Sequence, residues 1–165
     1  TDNPENRRFL LAGKVEDMIN TVIRQIAFYD SECKLHEARK AGELTPDDIN
    51  ALWMSVQGES LGPAFEFMDG YETFWAYIPH FVHSPFYVYA YAFGDGLVNA
   101  LYAVYEAAPD GFQEKYFDML KAGGSQHHKD LLAPFGLDAS DPIFWQQGLS
   151  IISSMIDELE AMETP

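Results

Sequence analysis

The sequence is short of positive charge. It has 10 lysines and arginines against 26 aspartates and glutamates in 165 residues, which gives a formal charge of −16. Between Ala41 and Glu114 there is no lysine or arginine at all, although the same stretch holds eleven acidic residues. A nucleic-acid-binding face needs clustered cations that replace the counterions of the phosphates. The charge balance therefore excludes nucleic acid as a partner.

Cysteines and long apolar segments are also scarce. The single cysteine, Cys33, cannot build a disulfide framework and fits a reducing compartment, so we expect a cytoplasmic protein. The least charged stretch, residues 73–105, is interrupted by prolines, histidines and Asp95, which argues against a membrane span. The chain opens on Thr1 and has no secretory signal pattern. We therefore expect a piece of a longer polypeptide, with removal of an initiator methionine as the alternative.

Apolar residues recur at three- and four-residue spacing, which predicts an all-α fold. A first helix is expected from about Asn6 to Arg39, and Thr45 and Pro46 start a second one. Further helices are expected at about 84–107, after Asp110 and Gly111 as far as Gly123, near 125–134 with Ser125 as its cap, and from residue 141 onward. The inward positions include Ile26 in the first helix and, in the last, Leu149, Ile152, Ile156 and Leu159. No strand pattern competes, so residues 1–165 are expected to form a single helical unit.

Candidate chemistry is concentrated between Thr73 and Tyr105, which hold eleven aromatic side chains. Pro79 and Pro85 predict a non-helical segment that contains two histidines, because proline disfavours helix at the residue before it. Tyr87 and Tyr91 follow, four residues apart on one face of the expected helix. Neutral hydrogen-bond donors near the start of a helix, such as imidazole N–H and tyrosine O–H groups, can stabilise an oxyanion. A buried aromatic core is the commoner meaning of such a pattern.

Metal-site motifs are incomplete. The string His36-Glu-Ala-Arg-Lys40 begins like HExxH, but Lys40 occupies the position of the second histidine. His80 and His83 lie three residues apart with no cluster of further ligands nearby. The residues themselves therefore predict no metal site in this chain.

The run from Pro79 to Gly94, Pro-His-Phe-x-x-x-Pro-Phe-Tyr-x-Tyr-x-Tyr-Ala-x-Gly, resembles the C-terminal signature of oligoendopeptidase F, in the thimet-oligopeptidase superfamily of zinc peptidases. The similarity extends over nearly the whole chain. It includes Arg24-Gln-Ile-Ala-Phe28, Trp75-Ala-Tyr-Ile78 and Asp141-Pro-x-Phe-Trp-Gln-Gln-Gly148.

The resemblance implies the C-terminal portion of a larger, mostly helical zinc peptidase that cleaves short peptides inside a deep channel. In that family an HExxH helix and a further glutamate hold the zinc, upstream of a segment like this one. We therefore expect zinc in the complete enzyme with its ligands outside this chain, and we expect the upstream part of the same polypeptide as a partner. The chain alone is predicted to be inactive.

The resemblance also implies roles for individual side chains. Family histidine and tyrosine residues beyond the zinc site bind substrate and stabilise the tetrahedral intermediate. His80 matches that histidine, Tyr91 matches the distal tyrosine, and Tyr87 is a third candidate for transition-state stabilisation. His83 and Tyr89 are expected to contact substrate or to support the residues that do.

Two other interpretations stay open. One is a non-catalytic helical binding module with an aromatic–histidine groove, and the other is a structural domain whose aromatic run is simply core. If the helices have lost a packing partner, apolar surface should be exposed and the chain should self-associate.

Overall fold

The computed structural model describes residues 3–163, which form helices and short connections without a β-strand. Within this range the prediction of an all-α fold is confirmed, and none of the helices there combines the length and apolar character needed to cross a bilayer. The α-helices are α1 (Pro4–Thr21), α2 (Ile23–Ala41), α3 (Pro46–Leu61), α4 (His80–His83), α5 (Tyr89–Ala107), α6 (Phe112–Ala122), α7 (His128–Leu132) and α8 (Pro142–Glu163). Short 3-10 segments lie at Gly62–Ala64, Tyr71–Tyr77, Gly123–Ser125 and Ala133–Phe135.

The start of α3 follows from its local sequence. The Thr45 side chain accepts a hydrogen bond from the Asp48 N–H, and the Asp48 carboxylate accepts one from the Thr45 N–H at 2.8 Å. Hydrogen bonds from the Thr45 side chain and backbone hold the pKa of Asp48 below its usual value. Pro46 occupies the first helical turn, where its missing N–H costs nothing. The predicted helix start is therefore confirmed.

The long first helix predicted from Asn6 to Arg39 is interrupted. α1 ends at Thr21 and α2 begins at Ile23, with Val22 as a turn between them. The Val22 N–H still donates to the Met18 carbonyl, and the Ile26 N–H donates to the Val22 carbonyl. Because this near-helical hydrogen bonding preserves the apolar period, the sequence shows no break. The Ile26 side chain, predicted to face inward, is exposed.

Two further expectations need correction. His127, not Ser125, caps α7: its Nδ1 accepts a hydrogen bond from the Lys129 N–H at 3.3 Å, whereas the Ser125 hydroxyl donates to the Ala122 carbonyl. In α8, Ile152 is buried as predicted, but Leu149 and Ile156 are exposed. Leu149 and Ile156 are seven residues apart, so they lie along one edge of the predicted apolar stripe, and that edge is uncovered among the described residues.

The described residues form two compact units. The first contains the residues up to Asp17 and those from Gly94 on, and the second contains Met18–Phe93. The core of the first unit is made by Ala100, Leu101, Leu132, Phe135, Leu137 and Phe144. The core of the second is made by Phe28, Trp53, Ile78 and Val88. Each unit therefore has its own buried apolar centre.

Inside the first unit, the backbones of α5 and α8 approach closely at a pair of glycines. A Cβ atom added to Gly148 would lie 3.1 Å from the Gly96 carbonyl oxygen and 3.4 Å from the Gly96 Cα. This space is too small for a side chain, because backbone atoms cannot move aside without shifting a whole helix. Glycine at position 148 therefore lets the two helices pack.

We expect Gly148→Val to destabilise the chain by about 1–3 kcal/mol, since an oversized side chain forces backbone shifts. The free energy of urea unfolding measures the loss. Gly94→Val is the matched control, because a Cβ there meets no atom within 4 Å. Equal effects of the two substitutions would contradict the close packing.

Candidate functional site

The histidine–tyrosine segment lies in the second unit and starts with a single helical turn. Pro79 is the N-cap of α4, and its carbonyl accepts hydrogen bonds from the Val82 and His83 N–H groups. The prediction that His80 and His83 lie in a non-helical segment is therefore wrong. Proline restricts the residue before it, but it suits a helix start itself because it has no N–H to leave unpaired.

The helix expected from Ser84 begins later. Residues 84–88 form turns, and α5 starts at Tyr89. The Ala90 N–H donates to the Tyr87 carbonyl and the Tyr91 N–H donates to the Val88 carbonyl. Tyr87 thus precedes α5, and the two imidazoles do not stand directly at its N-terminus.

Three of the five predicted site residues come together. The His80 Nε2 atom lies 3.1 Å from the Tyr91 hydroxyl. The Tyr87 ring lies parallel to the imidazole, with 5.9 Å between ring centroids, and the Tyr91 ring stands at right angles to both. We call His80, Tyr87 and Tyr91 the His–Tyr cluster. Tyr87 is 49% exposed and Tyr91 39%, so a ligand can reach both.

The His80–Tyr91 hydrogen bond leaves a donor available in either tautomer. If Nε2 accepts from the Tyr91 hydroxyl, the imidazole carries its proton on Nδ1, and if Nε2 donates, the hydroxyl proton is free to turn to a ligand. Fixed neutral donors stabilise negative charge that develops next to them. The His–Tyr cluster is therefore equipped to hold an anionic oxygen.

The other two predicted residues lie elsewhere. The Tyr89 ring packs against Tyr29 of α2 with 5.6 Å between centroids, and its side chain is half exposed. His83 is exposed and makes no side-chain hydrogen bond or ring contact within residues 3–163. The structure does not bring either side chain into the His–Tyr cluster.

The turn at Phe86, which positions Tyr87, was not predicted from the sequence. Phe86 has a φ of 62°, in the left-handed region that a phenylalanine seldom adopts. Its ring packs on His36, 4.7 Å between centroids, and on Tyr29, 6.4 Å away. Strained backbone of this kind persists only where surrounding contacts hold it.

The two α2 rings that hold Phe86 could have been suspected from their spacing. Tyr29 and His36 are seven residues apart, which places them on one helix face. A hydrogen bond with Cys33 is the main reason why the pKa of Tyr29 is raised, because it favours the protonated phenol. His36, which the sequence offered only as the start of an incomplete HExxH motif, instead supports the turn before Tyr87.

A zinc ion does not fit the residues at this site. Structural and catalytic zinc sites use three or four side chains drawn from cysteine, histidine, aspartate and glutamate. The His–Tyr cluster offers one imidazole and two phenols. Across residues 3–163 no group of three or more such ligand side chains is placed to hold a metal ion.

Known proteins of one kind match this chain over most of its length. The model of peptidase family M3 matches residues 1–151. Oligopeptidase PepF of Bacillus subtilis is 28% identical over 98% of this chain and 24% of its own length. The chromosomal oligoendopeptidase F of Lactococcus lactis subsp. cremoris is 30% identical over 97% of this chain and 27% of its own length. The chain thus spans about a quarter of the length of the curated relatives it matches.

Solved structures show the same fold. The crystal structure of oligoendopeptidase-F from Enterococcus faecium superposes with a TM-score of 0.88 at 24% identity, over 98% of this chain and 31% of that one. A structure from Chlamydophila abortus gives a TM-score of 0.87 at 28% identity, over 98% of this chain and 27% of that one. Together with the family match over residues 1–151, this agreement shows that the chain belongs to peptidase family M3.

Proposed function

We propose that the chain is the C-terminal part of the catalytic domain of a cytoplasmic, zinc-dependent oligoendopeptidase that hydrolyses internal bonds of short peptides. The carrying observation is the 3.1 Å contact between His80 and Tyr91 in an exposed cluster of a peptidase-family chain. The names of the relatives, oligopeptidase and oligoendopeptidase F, support this substrate class. The single free cysteine, Cys33, supports the compartment.

The zinc ligands of this proposal lie outside residues 1–165. The relatives are about four times longer than the matched segment, so the family has room for them elsewhere. We use the term complete polypeptide for a protein that carries this chain together with the rest of the family length. The upstream part of that polypeptide is the proposed partner of the chain.

His80 and Tyr91 are proposed to donate hydrogen bonds to the oxygen that becomes negative when the peptide carbonyl is attacked. Tyr87 keeps the imidazole in place by stacking on it, and its own hydroxyl is a further donor. Such donors act on the transition state more than on the substrate, so they raise turnover. Tyr89 and His83, both exposed, are proposed to contact the peptide substrate.

The chain alone is expected to show no peptidase activity, because donors without a metal-activated nucleophile do not hydrolyse a peptide bond. The measurement is cleavage of a fluorescence-quenched peptide by the 165-residue chain, with and without added zinc. The complete polypeptide is the positive control; it should cleave the peptide, lose activity to a chelator and recover it with zinc. Zinc-dependent cleavage by the short chain that disappears in its His80→Ala variant would sink this expectation.

We also expect the isolated chain to self-associate. Several large apolar side chains are mostly exposed, among them Phe9 at 79%, Met68 at 75%, Tyr77 at 79% and Val82 at 74%. Exposed apolar area of this kind favours association because it removes hydrocarbon from water. Light scattering should give a mean mass that rises with concentration, and a monomer at high concentration contradicts the expectation.

A further inference from the structure

Two neighbouring residues of α2 have buried polar atoms without a partner. The Ser31 hydroxyl oxygen and both carboxylate oxygens of Glu32 make no hydrogen bond within the described part of the chain. Both residues are only 4% exposed. A buried carboxylate is stable when a positive charge or hydrogen-bond donors reach it, so these atoms call for a partner.

Ser31 and Glu32 help to line a cavity of about 320 Å³ in the second unit. Most of its wall is apolar. The rings of Trp53, Trp75 and Phe81 contribute to it, and the His36 imidazole lines it as well. The polar atoms of both tryptophans are already used, because the Trp53 Nε1–H donates to the Tyr71 carbonyl and the Trp75 Nε1–H donates to Asn50. The cavity therefore combines an aromatic wall with unsatisfied acceptors on one side.

The cations of the second unit are engaged elsewhere. Arg24 lies over the Phe28 and Phe74 rings, and Lys34 pairs with Asp30 and Glu59. The other two form surface pairs, Arg39 with Glu43 and Lys40 with Glu37. From Ala41 to Phe93 the sequence has no lysine or arginine to offer. The His36 imidazole lines the same cavity, but the Glu32 carboxylate makes no hydrogen bond to it. Within the described part of this unit no side chain satisfies that carboxylate, so a bound ligand can supply its partner.

We propose that the cavity binds an organic cation, a protonated amine on a small apolar body. The ammonium group donates to Glu32 and Ser31, and the aromatic wall surrounds the apolar body and favours the adjacent positive charge. The volume lies at the lower end of the range of ligand pockets, which suits a body the size of a phenylethyl group. A free amine and the lysine side chain of a peptide present the same chemistry.

The test compares 2-phenylethylammonium with 2-phenylethanol, which has a similar shape but no charge. Binding to the 165-residue chain is followed by NMR through the indole N–H signals of Trp53 and Trp75. We expect the ammonium compound to bind at least tenfold more tightly. Glu32→Gln should abolish that difference. Glu37→Gln is the matched control, since it removes the same charge from α2 at a residue that pairs with Lys40 on the surface, and it should keep the preference.

Ala76→Leu is a second variant. Its larger side chain occupies part of the cavity and leaves Glu32 unchanged, so it should weaken binding of both probes. Nα-acetyl-lysine methylamide reports on the peptide source: Glu32-dependent binding of this compound assigns the site to lysine side chains, and Glu32-dependent binding of phenylethylammonium alone assigns it to free amines. Equal affinity for the amine and the alcohol, or the same amine affinity after Glu32→Gln or Ala76→Leu, overturns the proposal.

Discussion

Tyr91→Phe is expected to lower kcat of the complete polypeptide about 100-fold or more, with little change in KM. The substitution removes only the hydroxyl that lies 3.1 Å from His80 Nε2 and leaves the ring in place. If this hydroxyl binds the oxygen of the tetrahedral intermediate, its loss raises the barrier and spares substrate binding. Steady-state kinetics with a short internally quenched peptide separates the two constants. His80→Ala should show a loss of similar size.

Tyr105→Phe is the matched control for this experiment. It removes a hydroxyl from another half-exposed tyrosine of α5, outside the His–Tyr cluster, and should leave kcat unchanged. Unfolding free energies of all three variants must accompany the kinetics. A fall in stability that parallels the fall in activity would assign the His–Tyr cluster to the core. A complete polypeptide without turnover would favour the non-catalytic binding module.

Trp53→Ala should destabilise the second unit by about 3–5 kcal/mol, a large part of the net stability of an ordinary domain. Trp53 is 1% exposed and lies at the centre of an aromatic group that includes Phe28, Tyr71 and Phe81. The substitution opens a cavity, and it removes the donor that satisfies the Tyr71 carbonyl. Chemical denaturation followed by circular dichroism measures the loss.

Two controls give this result its meaning. Tyr77→Ala removes a large aromatic side chain from the same unit, but one that is 79% exposed, so it should cost less than about 1 kcal/mol. Trp53→Phe keeps most of the packing and should fall between the two. Similar losses for Trp53→Ala and Tyr77→Ala would show that burial at Trp53 does not dominate the stability of the unit.

Local sequence signals predicted most of the helices. They failed where the same residue type is compatible with two different backbone conformations. The capping box at Thr45 and Asp48 marked the start of α3, because its hydrogen bonds join neighbours in the chain. Pro79 misled the same reasoning, since proline both discourages helix before it and suits the first turn after it. The break at Val22 was invisible because the hydrogen-bond pattern nearly continues through it.

The candidate site also has a part that the local sequence predicts and a part that it does not. His80, Tyr87 and Tyr91 were predicted from the family-like run, and their gathering follows from short separations along the chain. Phe86 was missed because nothing in a Pro-Phe-Tyr string predicts a left-handed phenylalanine. Its conformation depends on Tyr29 and His36, about fifty residues earlier.

By itself the sequence determined the helical class, the lack of cations from residue 41 to 114 and the likeness to a peptidase family, since each depends on composition or on residues close together in the chain. Only the tertiary structure decided that the Glu32 carboxylate makes no hydrogen bond among residues 3–163 and that it lines a cavity with Trp75. Glu32 looks like any other helical acid in the sequence. Its burial is set by helices and turns that fold against α2 from far along the chain, and no local pattern encodes which charges they bring.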